Sequence, residues 1–127
     1  MKFINLTPHP IHVYDPASLV EAGKPGSNQW TLREDSEPFL TLPTEVTPIT
    51  APRVEVAHEL LRHEGEVPVY RAQWGEVYNL PDPQEEVGYI VSALVKQACQ
   101  ARNDLFTVLG AVKDENSRMC GCTGLAC

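Results

Sequence analysis

The amino-acid sequence predicts a small single-domain α+β fold spanning residues 1–127, mostly antiparallel β-sheet, with one principal helix at about 92–101 and a C-terminal β-hairpin. Three observations carry that expectation. A chain of 127 residues has the length of one domain. By surface scaling it buries about two-thirds of what its unfolded chain exposes, enough for one core. Eleven prolines are far above the usual share and work against a helical bundle, because each removes a backbone donor and fixes φ. Only one stretch, behind Ser92, is a sustained run of good helix formers.

Taken in order, Phe3 to Leu6 and Ile11 to Tyr14 read as short strands, and Thr7-Pro8-His9-Pro10 between them must turn or lie at an edge. From Asp15 to Asn28, Pro16, Gly23, Pro25 and Gly26 predict a loop or a single helical turn. Gln29 to Arg33 is a short strand. Pro38, Pro43, Pro48 and Pro52 then exclude a helix between Glu37 and Arg53 and favour extended edges. Arg53-Val54-Glu55-Val56 alternates as a half-buried strand does, while Ala57 to His63 is open between helix and strand. Val67 to Arg71 and Glu76 to Leu80 flank Gly75 and predict a hairpin with its loop at Gln73 to Gly75.

Gly88 to Val91 is a β-branched and aromatic strand. Ser92 is a natural N-cap for the helix that follows, whose core face is expected at Leu94, Val95, Ala98 and Ala101. Leu105 to Leu109 is again a strand, so this part reads as a compact βαβ-like unit. After a polar turn at Asp114 to Ser117, Arg118 to Cys122 is the last strand expected.

Ten Lys and Arg stand against 17 Asp and Glu, a net charge of -7. That balance excludes nonspecific nucleic-acid binding, which needs a cationic surplus to displace phosphate counterions. No run approaches 18 apolar residues and no signal-peptide core fits the N-terminus, so no membrane partner is expected. Cys99, Cys120, Cys122 and Cys127 are expected as reduced thiols of a cytosolic protein.

Several features can carry function. A helix beginning at Ser92 aims free N–H groups beyond the preceding strand, which is the physics of an anion site and equally of an ordinary cap. Arg102 and Asp104 stand at its far end, where they complement the helix dipole or order the corner as an ion pair. His9 is held between two prolines beside Thr7, presented for anion binding or proton transfer. His12 follows three residues later, a spacing that in a strand separates the two rings.

His58 and His63 flank Glu59 five residues apart, about 140° around a helix, which rejects the zinc-protease pattern of four. Cys120-Gly121-Cys122 has too short a gap for a usual zinc pair. It reads as buried small hydrophobes, with Gly121 allowing close backbone approach. Tyr70, Trp74 and Tyr78 surround Gly75, and Trp74 is the aromatic best placed to be exposed. No nucleophile or acid–base arrangement is marked, so no catalytic residue, cofactor or metal is expected.

Asn5-Leu6-Thr7-Pro8-His9, Gly75-Glu76-Val77 with Leu80-Pro81-Asp82-Pro83, Tyr89-Ile90-Val91-Ser92-Ala93-Leu94-Val95, Arg102-Asn103-Asp104-Leu105 and the closing Gly121-Cys122 and Gly124-Leu125 stand in a specific order. In that order the chain resembles, from end to end, a family of small phage and prophage proteins. It departs from them mainly in a longer Asp15 to Pro52 region and in Cys120 and Cys127. The resemblance implies a phage accessory protein in the host-cell cytoplasm that works by binding rather than turnover.

The expected action is sequestration of a small anionic, nucleotide-like ligand such as a host immune signal. Thr7, His9, Arg53, Trp74, Tyr89, Ser92, Arg102 and Asp104 are the candidate binding residues. A homo-oligomer is expected, since small protomers often build pockets between subunits. The alternatives are an acidic inhibitor that binds a host defence protein, in the manner of an anti-CRISPR, and a small nucleotide-processing enzyme.

Overall fold

A computed structural model describes all 127 residues. Four strands form the central sheet: β1 (Lys2–Asn5), β8 (Val87–Ile90), β9 (Leu105–Leu109) and β12 (Gly124–Ala126), in that spatial order. β8 runs parallel to both β1 and β9, and β12 closes the sheet antiparallel to β9. The single helix α1 (Ala93–Ala98) is the crossover from β8 to β9, so the expected βαβ unit is present. A second sheet holds β11 (Met119–Gly121), β10 (Val112–Lys113), β4 (Gln29–Leu32) and β3 (Leu19–Ala22). β2 (Ile11–Val13) and β5 (Leu40–Leu42) pair between the two sheets, tied to them by single bridges from Val13 to Cys122 and from Asn5 to Thr44. The remaining strands, β6 (Arg53–Glu64) and β7 (Val67–Tyr78), form a long antiparallel ribbon of their own. The fold is therefore α+β and predominantly antiparallel. No helix is long and apolar enough to cross a membrane.

The core lies where the sheets meet. Leu6, Tyr89, Val91, Val95 and Leu105 pack between α1 and the central sheet, while Ile11, Val13, Ile90 and Cys122 fill the opposite side. A smaller cluster of Tyr14, Leu19 and Val112 lies under the second sheet.

Several local expectations are corrected. The helix is shorter than 92–101, because Cys99 leaves helical geometry and its N–H turns back to the Lys96 carbonyl in a tight i to i+3 bond. In so short a helix only a narrow stripe is buried, formed by Val95 with Cys99 four residues on; Leu94 and Ala101 are exposed. The segment from Asp15 to Asn28 is more than a loop. Asp15 caps a 3₁₀ turn at Pro16–Ser18, its Oδ1 accepting from the Ala17 N–H at 3.0 Å, and β3 follows directly.

The hairpin loop does not lie at Gln73 to Gly75. β7 runs unbroken through that point, and the chain reverses instead at Gly65-Glu66, where Gly65 takes φ +64. Gly75 serves a β-bulge: Gly75 and Glu76 together face Glu55, and a Cβ on Gly75 would lie 3.0 Å from that of Glu55. The same register settles Ala57 to His63 as strand. Beyond the expected end at Cys122, the chain adds β12.

Candidate functional site

The turn between β1 and β2 is organised by Asn5. Its side chain is buried at 1% exposure, and all four of its hydrogen-bonding positions are used. Oδ1 accepts from the Thr7 N–H at 2.9 Å and the Thr7 hydroxyl at 2.6 Å, while Nδ2 donates to the carbonyls of His9 and Leu42 at 2.8 and 3.2 Å. The Thr44 hydroxyl donates to the Thr7 carbonyl and ties the turn to the segment after β5. Two flanking prolines and this side chain together make a rigid loop out of a polar sequence.

That loop forms one wall of a cleft of about 390 Å³. Thr7, His9, Pro10, Ile11 and His12 line it from the turn and β2, Met119 to Cys122 from the end of the C-terminal hairpin, and Val108 from β9. Gly121 makes the junction possible, since a Cβ there would lie 2.6 Å from both the His12 carbonyl oxygen and the Tyr14 ring. The close approach expected at this glycine is thus realised against β2. His9 and His12 both line the cleft, His9 from the turn and His12 from the strand. The His12 Nδ1 lies 3.0 Å from the Thr41 hydroxyl on β5, which orients the ring.

Burial pushes the Cys120 and Cys122 thiols up, so both stay protonated at neutral pH and serve as apolar lining. They do not share a face: Cys120 packs toward Tyr14 and Val112, whereas Cys122 lies among Ile11, Val13 and Ile90. Nowhere in the chain do three His, Cys, Asp or Glu side chains converge as a metal site would require.

Of the eight candidate binding residues, only Thr7 and His9 meet at this cleft. Tyr89, Arg102 and Asp104 meet elsewhere, as a structural corner. Arg102 grips Asp104 through Nε and Nη2, each at 2.8 Å, and Nη2 also donates to the Pro81 carbonyl at 3.0 Å. The guanidinium holds the Asp104 carboxyl below its ordinary value. The Asp104 carbonyl accepts from the Tyr89 N–H at 2.8 Å, and the Tyr89 hydroxyl donates to the Asp82 carbonyl at 3.3 Å. With 1% exposure, the Tyr89 ring has no face left for a ligand. Ser92 caps α1 through the Val95 N–H at 3.3 Å, and the six-residue helix is too short to add a strong dipole.

Arg53 and Trp74 stand on opposite faces of the β6–β7 ribbon and cannot line one pocket. Arg53 lies over the Tyr78 ring at 5.1 Å, on the side where Tyr78 donates to Glu55 at 2.8 Å and is pushed up to about 12 by that bond. Glu59 accepts there from Arg71 at 3.0 Å and from Gln73 at 2.6 Å. Trp74 pairs with Val56 on the other side.

Asn5, His12 and the segment from Met119 to Cys122 stand at the site without having been among the eight candidate binding residues. Asn5 carried a signal, as a polar residue at the end of an apolar strand just before Thr-Pro. The convergence of Met119 with His9 had none, since 110 residues separate them. Compared with family models, with curated proteins and with solved structures, the chain matches none.

Proposed function

We propose that this chain is a binding protein that captures a small ring-bearing anion of the nucleotide class in the cleft between the Thr7 to His12 turn and the Met119 to Cys122 strand. One observation carries the reading. Two histidines, His9 and His12, line a partly apolar cleft containing Ile11, Val108 and Met119, in a wall made rigid by Asn5. Imidazole N–H groups suit phosphate oxygens, and the apolar lining suits a planar ring. The volume of about 390 Å³ falls in the range of about 300–1,000 Å³ usual for small-molecule sites. The other openings, of about 350 to 470 Å³, are lined mostly by polar residues, and two of them carry the carboxylates of Asp114 and Glu115, which would repel an anion.

The likeness to small phage and prophage proteins supplies the context, that of an accessory protein withdrawing a host immune signal in the bacterial cytoplasm. A second reading, inhibition of a host defence protein, is favoured by the acidic balance and the projecting ribbon.

The test incubates purified protein with cyclic nucleotides and ADP-ribose derivatives, desalts it, and identifies retained ligand by mass spectrometry after denaturation. Wild type should retain one of them unchanged, and the His9→Ala/His12→Ala variant should lose it. Retention of none, or equal retention by the variant, overturns the proposal. A converted product in the supernatant would establish turnover in its place.

A further inference from the structure

The β6–β7 ribbon projects from the body, and its two faces differ. On β6, Val54, Val56, His58 and Leu60 point one way, facing Val77, Trp74, Ala72 and Tyr70 on β7. Val54 and Val77, at the base, are half-buried, and Val77 packs on the main core. Beyond them the apolar row continues into solvent: Val56, Trp74, Leu60 and Tyr70 are 39, 41, 48 and 55% exposed. A two-stranded ribbon is marginal in water unless a face is covered. Beyond the base, where α1 approaches both strands, the row stays open to solvent.

The whole molecule carries the same sign. Its accessible surface is 8690 Å², and only 16 of 127 residues are buried. A folded monomer of 14.1 kDa is expected to expose about 6,700 Å². The excess, about 2,000 Å², is ample for a standard interface, which takes about 800 Å² from each partner.

We propose that this face is covered by the same face of a second copy. Charge on this face permits a second copy. The chain carries -7, yet this row holds no Asp, Glu, Lys or Arg. The carboxylates of Glu55 and Glu59 lie on the opposite face, bonded to Tyr78, Arg71 and Gln73. It is a surface on which two acidic chains can meet without opposing like charges. A twofold axis would stack two ribbons about 10 Å apart, each Trp74 and Tyr70 against the partner's apolar row.

Sedimentation equilibrium from 1 to 100 μM, with far-UV circular dichroism as the folding control, tests this. Wild type should sediment at twice the 14.1 kDa chain mass. Leu60→Glu/Tyr70→Glu should weaken self-association at least 100-fold while keeping the β spectrum. Glu59→Gln, on the polar face, should leave it unchanged. If the double variant loses its fold, Trp74→Ala is the substitute, expected to weaken association at least 10-fold. A wild type that is monomeric at 100 μM overturns the proposal, including one that instead captures a different protein on this face. So does a dimer that survives the substitutions on the apolar row. The inference does not depend on the proposed ligand.

Discussion

The body of the molecule and its projecting ribbon are both built from β-strands, yet they use their apolar residues in opposite ways. In the body, β8 is covered on both faces, and its Tyr89 and Ile90 are fully buried. In the ribbon, Leu60 and Tyr70 pair across the two strands and stay in solvent. The two regions are joined at the base of the ribbon, where Val77 packs on the core and α1 approaches both strands. As the chain leaves β7, Arg102 holds the Pro81 carbonyl and Tyr89 the Asp82 carbonyl, so the root of the ribbon is fastened to the strand–helix–strand unit. What differs is whether a second layer lies opposite. Polar groups follow suit: Asn5 and Asp104 in the body are buried and partnered, whereas Glu59 and Arg71 on the ribbon are partnered but exposed.

That contrast makes body polar residues costly to remove and ribbon polar residues cheap. The largest effect is expected at Asn5→Ala, which removes the acceptor of the Thr7 N–H and one donor each from the carbonyls of His9 and Leu42. Urea denaturation should show a loss of about 2–4 kcal/mol. A loss below about 1 kcal/mol would mean the turn holds without its hub.

Next comes Arg102→Ala, expected to cost about 2–3 kcal/mol. This lies below the usual figure for a fully buried pair, because the two side chains are 21% and 10% exposed. Its pH dependence sharpens the point. The Asp104 carboxyl is lowered in the folded chain, so its contribution is fully present above about pH 4 and is lost as pH falls through the folded value. The gap in stability between wild type and Arg102→Ala should therefore be constant from pH 5 to 7 and narrow in acid. A gap that widens in acid would contradict the pairing.

The smallest effect is expected at Arg71→Ala on the ribbon. Its bond to Glu59 joins side chains that are 59% and 50% exposed, and removal should change stability by less than about 0.5 kcal/mol. A loss comparable with that of Arg102→Ala would erase the distinction between body and ribbon.

Much of the fold was legible in the residues themselves. Prolines marked the turn at Thr7 to Pro10 and excluded helix between Glu37 and Arg53, and Ser92 marked the start of α1. Gly75 misled because glycine serves turns and bulges alike, and only the partner Glu55 distinguishes them. Gly65, the real turn, sits between glutamates that carried no β signal of their own. For the site, the rigidity of Thr7 and His9 was legible, but the wall opposite them was not.

By itself, the sequence determined what short-range sterics and donors decide: where helix is forbidden, where the chain must turn, which residue caps a helix, and an acidic balance unsuited to phosphate backbones. Tertiary structure alone decided the rest. It engaged Arg102 with Asp104 and Pro81, brought His9 and His12 to one cleft with Met119, and left an apolar row on the ribbon without a covering layer. Each of these depends on distances between residues far apart in the chain. Local preference contains no term for such distances.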